Sequence, residues 1–188
     1  MQAIDLLLQR TSGRALSEPA PTPAALELMF ASAARAPDHG RLRPWRFVVI
    51  DTAARAAFGD LLAAHLQRTH PATGAESLQR ERQKAFRAPL LVVVAAHTTP
   101  GIKIPVIEQL LSAAAAAQAL LLAAAALGFS GVWKTGAAAY DDTVRAALGL
   151  EENDVIVGFL YLGSEAPAAA PPATREWRDL VRHWQPAR

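Results

Sequence analysis

The 188-residue chain contains no cysteine. That excludes a disulfide framework, a thiolate metal site and a cysteine nucleophile, and it leaves the redox compartment open. Lysine is scarce, with only Lys84, Lys103 and Lys134 among 19 basic residues, and aromatics make up 6%. A pI near 9.4 invites a nucleic-acid reading. Net charge is only +2, however, and the basic residues are scattered rather than blocked. No strand alternates aromatic and basic residues as an RNA-binding sheet does, so no nucleic-acid partner is expected. His65 and His70 are five residues apart, and His97 and His183 have no partner at helical spacing, so no metal site is expected. Asp141-Asp142 and Glu151-Glu152 are neighbours whose side chains diverge, which makes them poor acid–base pairs. The N-terminus carries Asp5 and no positive stretch before its apolar residues. This is contrary to a secretory signal, and a cytoplasmic location is expected.

What is present is apolar: 52% of the residues are hydrophobic, with a mean hydropathy of +0.14. That suffices for one sizeable domain, placed at 1–165, with a Pro- and Trp-containing extension at 166–188. Residues 2–10 read as a helix. Pro19, Pro21 and Pro23 form a stiff connector, and Thr22-Pro23 reads as an N-cap followed by proline at the first helical position. Leu26, Met29, Phe30 and Ala33 make one buried stripe on a helix that ends before Pro37. Phe47–Ile50 and Leu90–Ala96 read as buried strands, the second covered on both faces. Helices are expected over 53–69 and 76–87. Residues 104–127 are nearly apolar all round and long enough to span a bilayer. Alanine contributes little transfer energy and Ser112 and Gln118 interrupt the run, so a central buried helix is expected instead, and no membrane partner. Gly128 is a natural C-cap, 130–134 and 155–162 read as strands, and 140–148 as a short helix with Asp141 as a candidate cap. The order is that of an α+β fold with four or five strands. In the tail, Pro167, Pro171 and Pro172 precede Trp177 and Trp184, which imply packing on something.

Three segments carry chemistry. Arg10-Thr11-Ser12-Gly13-Arg14 places two guanidinium forks and two hydroxyls at the end of a short helix. The forks match phosphate oxygens, and Gly13 permits close backbone approach. Residues 36–47 form an A-P-D-H loop leading through Pro44-Trp45 into a strand, and residues 128–136 form Gly-Phe-Ser-Gly-Val-Trp-Lys-Thr-Gly.

In this order the three segments resemble the FMN-dependent nitroreductase family, above all its smallest class of NAD(P)H nitroreductases. The resemblance runs from Ile4 to about Gly163. It implies a central, mostly antiparallel sheet flanked by helices in an intertwined homodimer, with the alanine-rich helix as the subunit seam. It implies FMN at the subunit interface, held by Arg10, Thr11 and Ser12, with Arg14 near flavin N1 and C2=O, where a cation favours the charge that appears when hydride reaches N5. Trp133, Lys134 and Thr135 correspond to a second clamp on the phosphate side, and Arg35 and His39 to residues reaching the flavin from the other subunit. NADH or NADPH would use Ala123, Ala124, Ala125, Ala126, Leu127 and Gly128. The implied reaction is ping-pong hydride transfer to flavin and then to a small-molecule acceptor such as a nitroaromatic or quinone. Many relatives carry neutral polar residues before the Pro-Trp, where this chain has Arg41 and Arg43.

Two other readings stand beside this one. The first is a flavin-binding protein of the same fold without turnover. The second is a basic polyanion binder, which would lose affinity steeply with salt.

Overall fold

A strand covered on both faces must be apolar at every position, and β2 (Leu90–His97) shows the consequence: from Leu90 to Ala96 every side chain is buried. In the computed structural model, which describes residues 2–165 and 176–186, β2 lies inside a four-stranded sheet of order β1-β2-β4-β3. Its companions are β1 (Trp45–Ile50), β3 (Ser130–Lys134) and β4 (Asp154–Gly163), and every pairing is antiparallel. Trp45 pairs with Ala96, Leu90 with Leu162, and Ser130 with Gly163. The register slips once, between Val94 and Ala95.

Alternation along the strands divides the core in two. On one face Leu90, Val92, Val94, Leu160 and Leu162 meet α2 (Pro23–Ala33) and α5 (Val106–Ala126). On the other, Leu91, Val93, Phe159 and Tyr161 meet α3 (Arg55–Thr69) through Phe58 and Leu62 and α6 (Asp142–Ala147) through Val144. α1 (Ala3–Gln9) touches α5, and α4 (Ala75–Gln83) packs on α3.

The helix signals work as expected from the sequence. Thr22 Oγ1 accepts from Ala25 N at 3.2 Å with Pro23 in the first turn, and Asp141 accepts from Val144 N at 3.0 Å to cap α6. Met29 and Ala33 are fully buried, with Leu26 and Phe30 beside them. The expected helix over 76–87 is corrected: α4 stops at Gln83, and Lys84–Phe86 form a 3-10 turn. This tighter turn tucks Ala85 and Ala88 into the core beside Phe58. The helix expected from 53 begins at Arg55, because Asp51 Oδ1 holds Ala53 N and Ala54 N in a turn.

α5 meets the length and composition required to cross a membrane. Here Ala113, Ala116, Ala117, Leu120 and Ala124 are buried against the sheet and α2, and the small side chains let the elements approach closely. Its opposite face leaves Ile107 59% and Leu111 60% exposed. In the tail, Pro167, Pro171 and Pro172 lie outside the described residues, while Trp177 and Trp184 are exposed on this chain.

Candidate functional site

β3 is an edge strand, and two of the three motif segments meet on it. The Arg10–Arg14 run arrives at its start: Arg10 caps α1, and Gly13 N donates to Gly131 O at 3.0 Å. A Cβ on Gly13 would collide with Leu16 and with Ser130 Oγ at 2.6 and 2.7 Å, so glycine is what allows this approach. Glu165 locks the run in place. Its Oε1 accepts from Arg14 N at 2.7 Å and Ala15 N at 3.0 Å, and its Oε2 accepts from Ser130 Oγ at 2.9 Å. Burial works to raise the Glu165 pKa, but these three donors and the Arg14 charge outweigh it and hold the carboxyl below its ordinary range. The side chains of Thr11, Ser12 and Arg14 stay exposed, and Arg10 is half-buried.

Lys134 and Thr135 lie at the other end of β3, roughly 13 Å from Ser130 at the rise of an extended strand. Trp133 points to the opposite face from Lys134. Its Nε1 donates to Val157 O at 3.3 Å and its ring lies over Gly158, so the sheet itself holds the indole. Among the described residues no carboxylate lies within ion-pair distance of Arg10, Arg14, Arg35 or Lys134.

Beside Lys134, Thr135 and Gly136 opens a cleft of about 200 Å³ between α3, the 3-10 turn after α4, and β4. Its wall carries residues that the motifs do not name, among them Lys84, Arg87 and Tyr161, with Glu81 beside them. Glu81 pairs with Lys84 at 2.6 Å, and among the described residues no carboxylate lies within ion-pair distance of Arg87 or Lys134. Tyr161 is 3% exposed, and burial pushes its phenol up to about 12, so it stays protonated at any physiological pH. The sequence offered little to find these residues. Lys84 and Arg87 fall in the helix expected over 76–87, and Tyr161 in the strand read over 155–162. His65 also lines the cleft, with Nδ1 at 3.3 Å from Asp141, which in turn holds Arg68 at 2.6 Å. That arginine's hydrogen bond is the main reason Asp141 titrates down at about 2.

The third motif stands apart from this wall. In the Asp38–Arg43 loop, Asp38 accepts from Leu42 N at 3.1 Å and Arg43 N at 2.8 Å. Gly40, Arg41 and Arg43 all have left-handed φ values, of 75°, 57° and 50°. Only glycine takes that conformation without strain, so the two arginines are held there by the loop. His39 Nδ1 lies 2.6 Å from Glu108 in the first turn of α5. Arg35 is exposed just after α2. At the far end of α5, Ala124 is fully buried, Ala123 and Ala125 are half-buried, and Ala126, Leu127 and Gly128 are exposed. Gly128 has φ 85° as its capping role demands.

A four-stranded antiparallel sheet with α2 and α5 on one face and α3 and α6 on the other defines the nitroreductase-like class of α+β folds. A nitroreductase-like protein from Bacillus cereus superposes with a TM-score of 0.82 at 22% identity, covering 97% of this chain and 95% of that one. A nitroreductase from Bacteroides fragilis with bound FMN gives a TM-score of 0.74 at 21% identity, covering 97% and 98%. The chain belongs to the nitroreductase family, whose pattern it matches over residues 7–164. It is 41% identical over 166 residues to the Escherichia coli K12 protein named "Putative NAD(P)H nitroreductase YdjA", covering 87% of this chain and 88% of that protein. A Bacillus subtilis relative named "Putative NAD(P)H nitroreductase YfhC" is 30% identical over 169 residues, covering 87% and 85%.

Proposed function

We propose that this protein is an FMN-dependent NAD(P)H oxidoreductase that works as a homodimer. The observation that carries the reading is the meeting of the Arg10–Arg14 run and the Trp133–Gly136 turn on one edge strand, with their cations free of carboxylate partners among the described residues. Arg10, Thr11, Ser12 and Arg14 grip the cofactor from one end of β3, and Lys134 and Thr135 from the other. The residues present fit an anionic, oxygen-rich ligand. Guanidinium and hydroxyl donors line the edge, and Arg87, Lys134 and Tyr161 line the adjoining cleft.

The cleft also supports a shared site. Pockets that enclose a cofactor-sized ligand run to roughly 300–1,000 Å³, and one protomer offers about 200 Å³. The remainder comes from the partner subunit, through Arg35 and His39. The exposed Ile107 and Leu111 of α5, with Ile4, Leu7 and Leu8 of α1, supply an apolar seam. Trp177, Leu180 and Trp184 are 55%, 82% and 85% exposed, and these side chains pack on the partner.

Bound FMN would supply the chemistry that carries hydride from a nicotinamide and electrons to a nitroaromatic or quinone-like acceptor. The chain's part is to bind and orient. Arg14 places positive charge where reduction adds negative charge, and the surface around Ala123–Gly128 receives the donor. Donor leaves before acceptor enters, a ping-pong order.

The purified protein is expected to be a yellow dimer that bleaches anaerobically with NADH or NADPH. Its initial rates should give parallel double-reciprocal lines. A yellow dimer that does not bleach would mean cofactor binding without turnover, and a colourless protein that holds polyanions would overturn the flavin reading. Lys134→Ala removes a charge-assisted contact and is expected to weaken FMN binding by about tenfold or more in a fluorescence titration.

A further inference from the structure

From Arg35 to Arg46 four arginines stand against a single aspartate. Among the described residues none of the four lies within ion-pair distance of a carboxylate, whereas Arg68, Arg80, Arg82 and Arg145 each meet one. The acids beside the loop are committed elsewhere. Asp38 spends its two oxygens on Leu42 N and Arg43 N, and Glu108 holds His39. Leu42 is right-handed and Arg43 left-handed, an alternation that turns successive N–H groups toward one anion. Here that anion is the Asp38 carboxylate, so it is not available to the arginine side chains.

The same loop is pinned from several sides. Arg46 Nη1 donates to Arg43 O and Trp45 O, both at 3.1 Å, so this guanidinium braces the backbone. Pro44 O accepts from His97 N at 2.6 Å, which ties the loop to β2. Gly40 lies so close to Ile104 that a Cβ on it would overlap Ile104 Cδ1. Arg41 and Arg43 therefore carry two exposed, carboxylate-free guanidiniums on a fixed platform, in the same turn as His39.

We propose that Arg41 and Arg43 are specificity-determining residues: they form an oxyanion subsite that favours a redox substrate bearing an added carboxylate or phosphate over the same substrate without it. A guanidinium fork meets two oxygens of one such group, and a pre-set backbone lowers the cost of holding the fork in place. The inference rests on the flavin reading above, in which His39 of this loop reaches the flavin of the partner subunit. Two substrates are able to carry the oxyanion, the donor through the extra phosphate that distinguishes NADPH from NADH, and the acceptor through a ring carboxylate.

The test is the double variant Arg41→Gln with Arg43→Gln, which removes both charges and leaves the backbone donors held by Asp38. The readout on the FMN-loaded protein is the ratio of kcat/KM for NADPH over NADH, and for 4-nitrobenzoate over nitrobenzene. At least one ratio should fall by about three- to tenfold in the variant, the loss expected of charge-assisted contacts open to water. A fall in the first places the oxyanion on the donor, and a fall in the second places it on the acceptor. Rising ionic strength should lower the same ratio in the wild type and leave it flat in the variant.

Two unchanged ratios would overturn the inference and leave the flavin reading intact, even if the variant loses activity equally with charged and uncharged substrates. Weaker FMN binding by the variant in a fluorescence titration would also overturn it, since the arginines would then serve the cofactor. A wild-type protein that takes up no FMN would overturn both readings.

Discussion

Glu165 is the residue on which the Arg10–Arg14 run depends mechanically. One carboxylate gathers two backbone N–H groups and a hydroxyl from segments 35 and 150 positions away. Glu165→Gln keeps the shape but offers an NH2 where an acceptor is needed. We expect a loss of about 1–3 kcal/mol in chemical denaturation, the cost of an unsatisfied donor, together with weaker FMN retention. The run was marked as a candidate in sequence by its guanidinium forks, hydroxyls and glycine in five positions, read together with the other two segments. Glu165 announced nothing, since its partners are set by the Ser17–Ser164 bridge that brings the end of β4 beside the N-terminal segment. His39 is a similar case. The sequence marked it as a candidate, and only the fold shows that Glu108 orients its ring through Nδ1. Glu108→Gln should shift the pH profile of turnover if His39 Nε2 faces the flavin of the partner subunit. An unchanged profile would remove His39 from the site.

At the level of elements, the β3–β4 pair is held by an exchange of volumes. Gly158 leaves the space that the Trp133 indole fills, and a Cβ there would overlap the indole nitrogen. Gly158→Ala must displace the ring and break its bond to Val157 O, and we expect a cost of about 1–3 kcal/mol, read as a lower melting temperature. Gly131 has the same character, since a Cβ on it would come within 3 Å of the Leu121 and Leu162 side chains. The strands were legible because their apolar runs are short and bounded. Their partners were not, since an all-buried strand such as β2 carries no alternation to show which face meets which helix. The capping residues Thr22 and Asp141 were legible because the donors they satisfy lie three residues away. The end of α4 was misjudged because the 3-10 turn at Lys84–Phe86 answers to packing around Ala85, a long-range demand.

Across the whole molecule, acid is expected to loosen the structure through two carboxylates. Asp141 joins α3 to α6 through Arg68, and with its pKa at about 2 in the folded state it binds protons more weakly than in the unfolded chain. A depressed folded pKa contributes stability that is complete above the unfolded value, near 4, and is lost as pH falls toward 2. Glu165 adds to the same window, its folded pKa also being lowered. The melting temperature should therefore hold from neutral pH to about 5 and then decline. Asp141→Asn should flatten part of that decline and lower stability at pH 7. Association is tested separately: Leu111→Arg places a charge on the open face of α5 and should yield a monomer by sedimentation that retains the fold but releases FMN. A dimer that persists in this variant would move the seam elsewhere.

The sequence alone determined the fold class and the helix caps, because periodicity and capping act over a few residues, and it marked the Arg10–Arg14 run as a candidate through side-chain chemistry. The tertiary structure decided that the run and the Trp133–Gly136 turn share an edge strand, that Lys84, Arg87 and Tyr161 wall a common cleft, and that Glu165 ties the ends together. Those relations join residues up to about 150 positions apart, and their energies come from register and packing, which one-dimensional spacing does not encode.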